Sequence, residues 1–345
     1  MKTLVPTIYK DFRCIGSVCQ DNCCIGWEID IDETTADFYR SVSGAFGDRL
    51  QRQIDWENGC FILGEGERCP FLNKNNLCDI IIELGEEHLC HICDRHPRFR
   101  NILADRVEMG IGLCCEEEVR QLLAFEEKMT LVPGPDVDEE PAEVNPDLAE
   151  GCTRVRDLAF SVIQDRSLPL RERMLQLIAA ADELYLCQDG TGEGQSAFCT
   201  KYEKGESIAH LPLENVDKSA VWQDIAGIFL SLERLDESWT ALLEKLPDPA
   251  DENDLPEIPA EQMVWYFLYR HMMAAAEDCD TAGRLMFAAV SFLLIRRMVQ
   301  QGGDLPDILR RYCKEIEYST DNMDALLDAL AMEDCFAPAV VAALI

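Results

Sequence analysis

The sequence predicts a mainly α protein, in which a small cysteine-rich metal-binding N-terminal module precedes an all-helical C-terminal domain. Three observations predict it. Eleven of the seventeen cysteines fall within the first 115 residues, most of them in blocks. From about residue 151, apolar side chains recur at three- and four-residue intervals, the period of a helix that buries one face. Between these regions, 129–150 is acidic and proline-rich with no apolar face, the signature of a linker. A chain of 345 residues exceeds the usual single domain, so the expected division is a module at 1–128 and a helical domain at 151–345.

Inside the module, short segments are broken by Gly, Asn and Asp. Two helices are expected there. Thr34 to Arg40 follows the acidic turn Asp30-Ile31-Asp32, and Glu116 to Lys128 carries Val119, Leu122, Leu123 and Phe125 at helical spacing. In the helical domain Val155, Leu158, Ala159 and Val162 form one stripe, and Met174, Leu175, Leu177 and Ile178 a second. Trp222, Ile225, Ala226, Phe229 and Leu232 form a third. Residues 262–277 and 282–300 are rich in good helix formers and apolar nearly all round, so they should be the buried centre. Stretches 305–317 and 322–332 complete the domain, with polar breaks near 188–207 and 247–260.

Thirty-one basic residues against 65 acidic ones give a net charge of −34, which would repel a nucleic-acid backbone. Such a surface favours a basic partner, for instance a lysine-bearing protein segment, and equally serves solubility. No apolar run reaches the roughly 18 residues of a membrane span. The opening MKTLVPTIYKDFRC has no apolar stretch of signal-peptide length, so a cytoplasmic protein with reduced thiols is expected.

The thiol blocks are Cys14-x4-Cys19-x3-Cys23-Cys24, Cys69-x8-Cys78-x11-Cys90-x2-Cys93 and Cys114-Cys115. Thiolates bind zinc and iron–sulfur clusters, and four ligands are the usual requirement for either. Short spacings let one loop donate two ligands. The gap of about 45 residues between Cys24 and Cys69 requires separate segments to fold around the metal, so binding would supply folding energy. Adjacent cysteines are expected to point apart, one ligating and one packing. His88, His91 and His96 lie in the second block and are able to replace a thiolate. Cys60, Cys152, Cys187, Cys199, Cys279, Cys313 and Cys335 are isolated and read as small hydrophobes.

FRCIGSVCQDNCCIGWEIDID (12–32), with Thr34, Thr35 and Tyr39 after it, resembles the opening of the flagellin lysine N-methylases. CPFLNKNNLCDIIIELGEEHLCHICDRHPR (69–98) and EMGIGLCCEEEVRQLLAF (108–125) are similar to that family's later segments. The resemblance covers nearly all of the first 125 residues; the rest resembles the family only in being helical. A broader group of cysteine-cluster, zinc- or iron-chelating proteins shares a pattern that maps onto Cys19, Cys23, Cys24, Cys69, Cys78 and Cys93. The methylase-like relatives add Cys14 and Cys115, so the resemblance implies these eight as metal ligands. Cys90 and Cys114 stand where the family usually carries another residue, and His96 where an aromatic is common.

The activity this resemblance implies is methyl transfer from S-adenosylmethionine to lysine side chains of flagellin or another lysine-bearing protein. The centre would be a 4Fe-4S cluster, with zinc as the alternative. Transfer needs a neutral amine, whose pKa of about 10.4 must be lowered by burial or a nearby base. Asp30, Asp32, Glu86 and Glu108 are candidate partners of that amine. Trp27 is a candidate face for a methylated ammonium, and Arg98 for the donor's carboxylate. Gly190-Thr191-Gly192-Glu193-Gly194 looks like the glycine-rich turn of a conventional methyltransferase. LQLIAAADELYLC before it is helical and no strand–helix alternation follows, so it reads as a surface loop. The Cys-x3-Cys-x2-Cys loop of radical enzymes is absent too, which leaves polar and cluster-assisted transfer both open. A metal-handling protein or a zinc-stapled adaptor is the competing reading.

Overall fold

The computed structural model describes every residue except 207, 209, 210, 213, 214 and 251–253. The elements run β1 (Thr3–Pro6), α1 (Glu33–Ser41), α2 (Gly44–Gln53), β2 (Ile54–Asp55), β3 (Cys60–Phe61), α3 (Asp79–Leu84) and α4 (His91–Arg95). Then come β4 (Arg98–Ile102), β5 (Val107–Ile111), α5 (Glu116–Ala124), β6 (Leu131–Pro133), α6 (Pro146–Ile163), α7 (Leu170–Cys187) and α8 (Glu193–Glu203). The chain continues as α9 (Lys218–Ser231), α10 (Glu237–Leu243), α11 (Glu257–His271), α12 (Ala275–Asp278) and α13 (Thr281–Gln300). It ends with α14 (Leu305–Tyr312), α15 (Thr320–Met332) and α16 (Pro338–Leu344).

Two compact units result. Phe12–Phe99 with Cys115–Glu118 form one; Met1–Asp11, Arg100–Cys114 and Val119–Ile345 form the other. The expected module at 1–128 is thus narrower, and the helical domain is not all-helical. The physical reason is a four-stranded sheet of order β4-β5-β1-β6, built from strands of three to five residues, too short to display a period. β1 is parallel to β5, pairing Thr3 with Val107 and Leu4 with Glu108, and antiparallel to β6, pairing Val5 with Val132. Every residue of β5 is buried. The expected linker at 129–150 accordingly contains β6 on the sheet edge, where Pro133 needs no ladder donor. It also contains the start of α6, where Asn145 accepts from the backbone N–H groups of Asp147 and Leu148 and Pro146 opens the first turn.

In the larger unit α13 packs against α7, α11, α14, α15 and α16. Sixteen of its twenty residues are buried, as are eleven of the fifteen in α11, so the expected centre is the observed one. Each fully buried Leu, Ile or Phe there contributes about 1.5–3 kcal/mol of transfer free energy. The stretch expected as one helix at 305–317 divides: α14 ends at Tyr312, and Cys313–Glu317 is a π-helical turn. The glycine-rich 190–194 segment is a turn that leads into α8. Of the expected polar breaks, residues 207 and 251–253 lie outside the described residues.

The smaller unit has its own core. Ile29, Tyr39, Leu50, Phe61, Phe71 and Ile80 form it, with Phe61 and Phe71 edge to face at 5.2 Å. α1 begins at Asp32, whose carboxylate accepts the Thr35 N–H at 3.0 Å. Gly47 has to be glycine where α2 meets the preceding turn, because a Cβ would sit 2.1 Å from the Val42 carbonyl. Among the described residues no helix is long and apolar enough to cross a membrane.

Candidate functional site

Backbone pairing brings the first two cysteine blocks together. The Cys69 N–H donates to the Cys24 carbonyl at 2.9 Å, Ile25 bridges Arg68, and Leu72 bridges Cys78. Asp79 N–H closes the second loop onto the Phe71 carbonyl at 2.8 Å. As a result Cys69 and Cys90 are buried in the core, with Cys24, Cys78 and Cys93 packed against it. The Cys90 and Cys93 thiols hydrogen-bond each other, an interaction that lowers Cys90 and raises Cys93. Burial pushes the Cys69 thiol up to about 11.

Cys14, Cys19 and Cys115 stand with the acidic start of α5. Glu116 accepts the Gln20 N–H at 2.7 Å and the Cys19 thiol at 3.5 Å. Burial, then the Glu116 charge, push Cys19 up to about 12, and burial raises Cys115 to about 11. Cys23 links the two sets, because its thiol hydrogen-bonds that of Cys24 and pushes it far above the usual thiol range. The expectation that adjacent cysteines point apart is corrected for this pair. Cys114 is buried in the larger unit, and Cys115 belongs to the smaller one.

The donor chemistry fits a soft metal: five thiols from three segments converge on one apolar core. Among the described residues, however, no three His, Cys, Asp or Glu side chains are grouped as a bound ion would hold them. Raised thiol pKa values keep the protons that a metal would displace. Cys90, set aside on the family pattern, is the ligand candidate that pattern reasoning missed; its signal is the Cys-x2-Cys spacing with Cys93.

The remaining candidates do not converge. Asp32 caps α1 and also accepts the His91 N–H at 2.9 Å. Asp30 and Glu86 are exposed. Glu108 belongs to the larger unit, where it is fully buried between Arg106 at 2.9 Å and Arg156 at 2.5 Å. Its carboxylate is neutralised in the core and is not presented to an amine. Trp27 donates its indole N–H to the Cys23 carbonyl at 2.7 Å and meets the His96 ring edge to face at 4.5 Å. Arg98 is exposed, its guanidinium 5.8 Å from the Phe12 ring centre. His88 stacks on Phe38 at 4.1 Å, and the His91 ring lies 3.8 Å from Asp32.

Two buried acidic features escaped the sequence reading. Glu118 on α5 is 4% exposed, and its Oε2 has no hydrogen-bond partner among the described residues. Burial, then the Glu117 charge, push it up to about 8. In the larger unit the π-helical turn delivers Glu317 to α11. Glu317 meets His271 Nε2 at 2.6 Å, the Tyr266 hydroxyl at 3.0 Å and Arg270 at 3.4 Å. Tyr266 accepts in turn from Arg270 at 2.7 Å and from the Leu113 N–H at 3.1 Å. Gly112 completes this packing, because a Cβ would fall 2.3 Å from the Tyr318 hydroxyl and 2.8 Å from the Arg270 guanidinium. The second glycine of the GIGLCC string is therefore a packing requirement.

Residues 156–344 match the family described as the FliB lysine N-methylase C-terminal domain. The chain is similar to the flagellar biosynthetic protein FliU of Salmonella muenchen, 29% identical over 138 residues, covering 36% of this chain and 79% of that protein. It is also similar to lysine-N-methylases of Salmonella choleraesuis and Salmonella typhimurium, each 28% identical over 134 residues, covering 36% of this chain and 33% of theirs. The match spans a third of the length of these two methylases. No solved structure matches.

Proposed function

We propose, on the premise that this chain belongs to the FliB lysine N-methylase family, that it transfers methyl groups from S-adenosylmethionine to lysine side chains of flagellin. The observation that carries the reading is the family match, which runs over more than half the chain, from α6 to the last helix. The printed names of two relatives, lysine-N-methylases, agree with it.

In such a transfer the lone pair of a neutral lysine nitrogen forms the new N–C bond as the donor's C–S bond breaks. S-adenosylhomocysteine leaves with that electron pair, and the proton lost from the ammonium passes to solvent or a carboxylate. Asp30 and Glu86, exposed in the cysteine unit, would attract a lysine from solvent. Cys24, Cys69, Cys78, Cys90 and Cys93 would hold the metal. When bound, an iron–sulfur cluster supplies an open coordination site for the donor, and zinc supplies a staple. The apolar core around these thiols would exclude water from either.

The test is anaerobic purification followed by iron, zinc and sulfide analysis, then incubation with S-adenosylmethionine and unmethylated flagellin. Methyl mass increments on lysines support the reading. Metal-loaded protein that adds none supports a metal-binding or adaptor role instead.

A further inference from the structure

Of the nine large hydrophobic side chains exposed among the described residues, six belong to the smaller, cysteine-bearing unit: Val18, Ile62, Leu77, Ile81, Ile82 and Ile92. Scattered single residues of this kind are ordinary, but concentration in one small unit is not. Four of the six gather at one place. Leu77 lies just before the Cys78 cap of α3, and Ile81 and Ile82 are adjacent within that helix, so the three lie within six residues of chain. The Gly16–Val18 turn lies beside them, since a Cβ on Gly16 would stand 4.0 Å from the Leu77 side chain. Val18 is 71% exposed and Ile82 57%.

The local fold does not account for this exposure. Of the three consecutive isoleucines in Asp79–Leu84, Ile80 alone enters the core, and Asp79 is held by Arg49 at 2.7 Å. The same helix starts at Cys78, and the exposed Ile92 lies between Cys90 and Cys93. The apolar face is thus one helix away from the buried thiols. Its edge is acidic: Glu83, Glu86 and Glu87 are exposed, and 79–87 contains no basic residue. An apolar centre with a polar rim is the anatomy of a protein-binding surface, and here three exposed glutamates outnumber the one exposed lysine nearby, Lys74, so the rim favours cations.

We propose that the face formed by Val18, Leu77, Ile81 and Ile82, rimmed by Glu83, Glu86 and Glu87, docks a protein segment in which apolar side chains flank a lysine. Resting on the methyl-transfer reading, it makes this face the place where the substrate polypeptide is held. The apolar side chains of the segment cover the isoleucines. The acidic rim holds its cationic side chains and draws a lysine toward the thiol-lined core.

The test uses the full chain carrying V18S, I81S and I82S together. These positions are exposed, so the variant keeps the wild-type far-ultraviolet spectrum and melting temperature. Its affinity for purified, unmethylated flagellin, measured by calorimetry, is expected to fall at least tenfold. The wild-type affinity is expected to fall with added salt, and L186S, which removes an exposed apolar side chain of the helical unit, changes nothing. Equal binding by the triple variant and the wild type overturns the proposal, as does a wild type that binds no flagellin. So does a triple variant that loses self-association, seen by light scattering, while keeping its flagellin affinity. Wild type that binds flagellin but adds no methyl groups leaves the docking face standing and overturns the activity.

Discussion

Glu317→Ala tests how the larger unit is held together. The carboxylate is fully buried and meets three side chains, His271, Tyr266 and Arg270. Removing it takes from the Arg270 guanidinium, itself only 10% exposed, the carboxylate that lies 3.4 Å away. Breaking a buried pair from one side costs roughly 3–5 kcal/mol. Against a total stability of about 5–15 kcal/mol this is a large fraction. In a unit of this size it corresponds to a melting-temperature drop of roughly 6–20 °C. Glu203→Ala is the control, because it removes an exposed pair with Arg154 and should cost less than about 1 kcal/mol. Urea unfolding followed by tryptophan fluorescence reads both, since Trp239 and Trp265 are buried in the same unit. Glu317→Ala within 1 kcal/mol of wild type would refute the view that this network fastens the π-helical turn to α11.

Gly112→Ala should destabilise the same network through a clash with the Tyr318 hydroxyl, lowering the melting temperature, and Gly112→Ser should do so more strongly. Burial, with the Arg270 and Arg284 charges, holds His271 below the ordinary histidine value. The unfolded chain then takes up a proton first, so stability present above about pH 6.5 is lost as pH falls below it. His271→Gln should flatten that dependence in pH-resolved melting curves. Burial works against ionisation of Glu317, but Arg270 and then His271 hold it below the usual carboxylate range, so its contribution is lost at still lower pH. Cys90→Ser should reduce the metal retained per chain, measured by elemental analysis, as strongly as Cys69→Ser. A full metal complement in Cys90→Ser would remove it from the ligand set.

The helical core was legible because 262–277 and 282–300 are apolar on every side, a pattern that only a buried helix satisfies. The sheet was not, since Thr3–Pro6 and Leu131–Pro133 are too short for a period and pair with strands distant in sequence. Asn145-Pro146 carried a helix-start signal within a stretch whose other prolines read as linker. At the site, cysteines blocked together in sequence lie together in space, and of the eight that the resemblance implied as ligands Cys24, Cys69, Cys78 and Cys93 gather at the core of the smaller unit. Chain pattern alone had no means to show that Glu108 is consumed by Arg106 and Arg156, because Arg156 is 48 residues away. Nor did it show that Asp32 is spent as a helix cap with a second donor from His91. Nothing in the string DIIIEL distinguishes its three isoleucines, of which Ile80 is buried and Ile81 and Ile82 are exposed.

The most direct test of the central claim is mass spectrometry of flagellin after incubation with the metal-loaded protein and S-adenosylmethionine. The account predicts methyl increments confined to lysines, dependent on the donor and abolished by Cys69→Ser with Cys78→Ser. Unmodified flagellin from protein of confirmed metal content would contradict it.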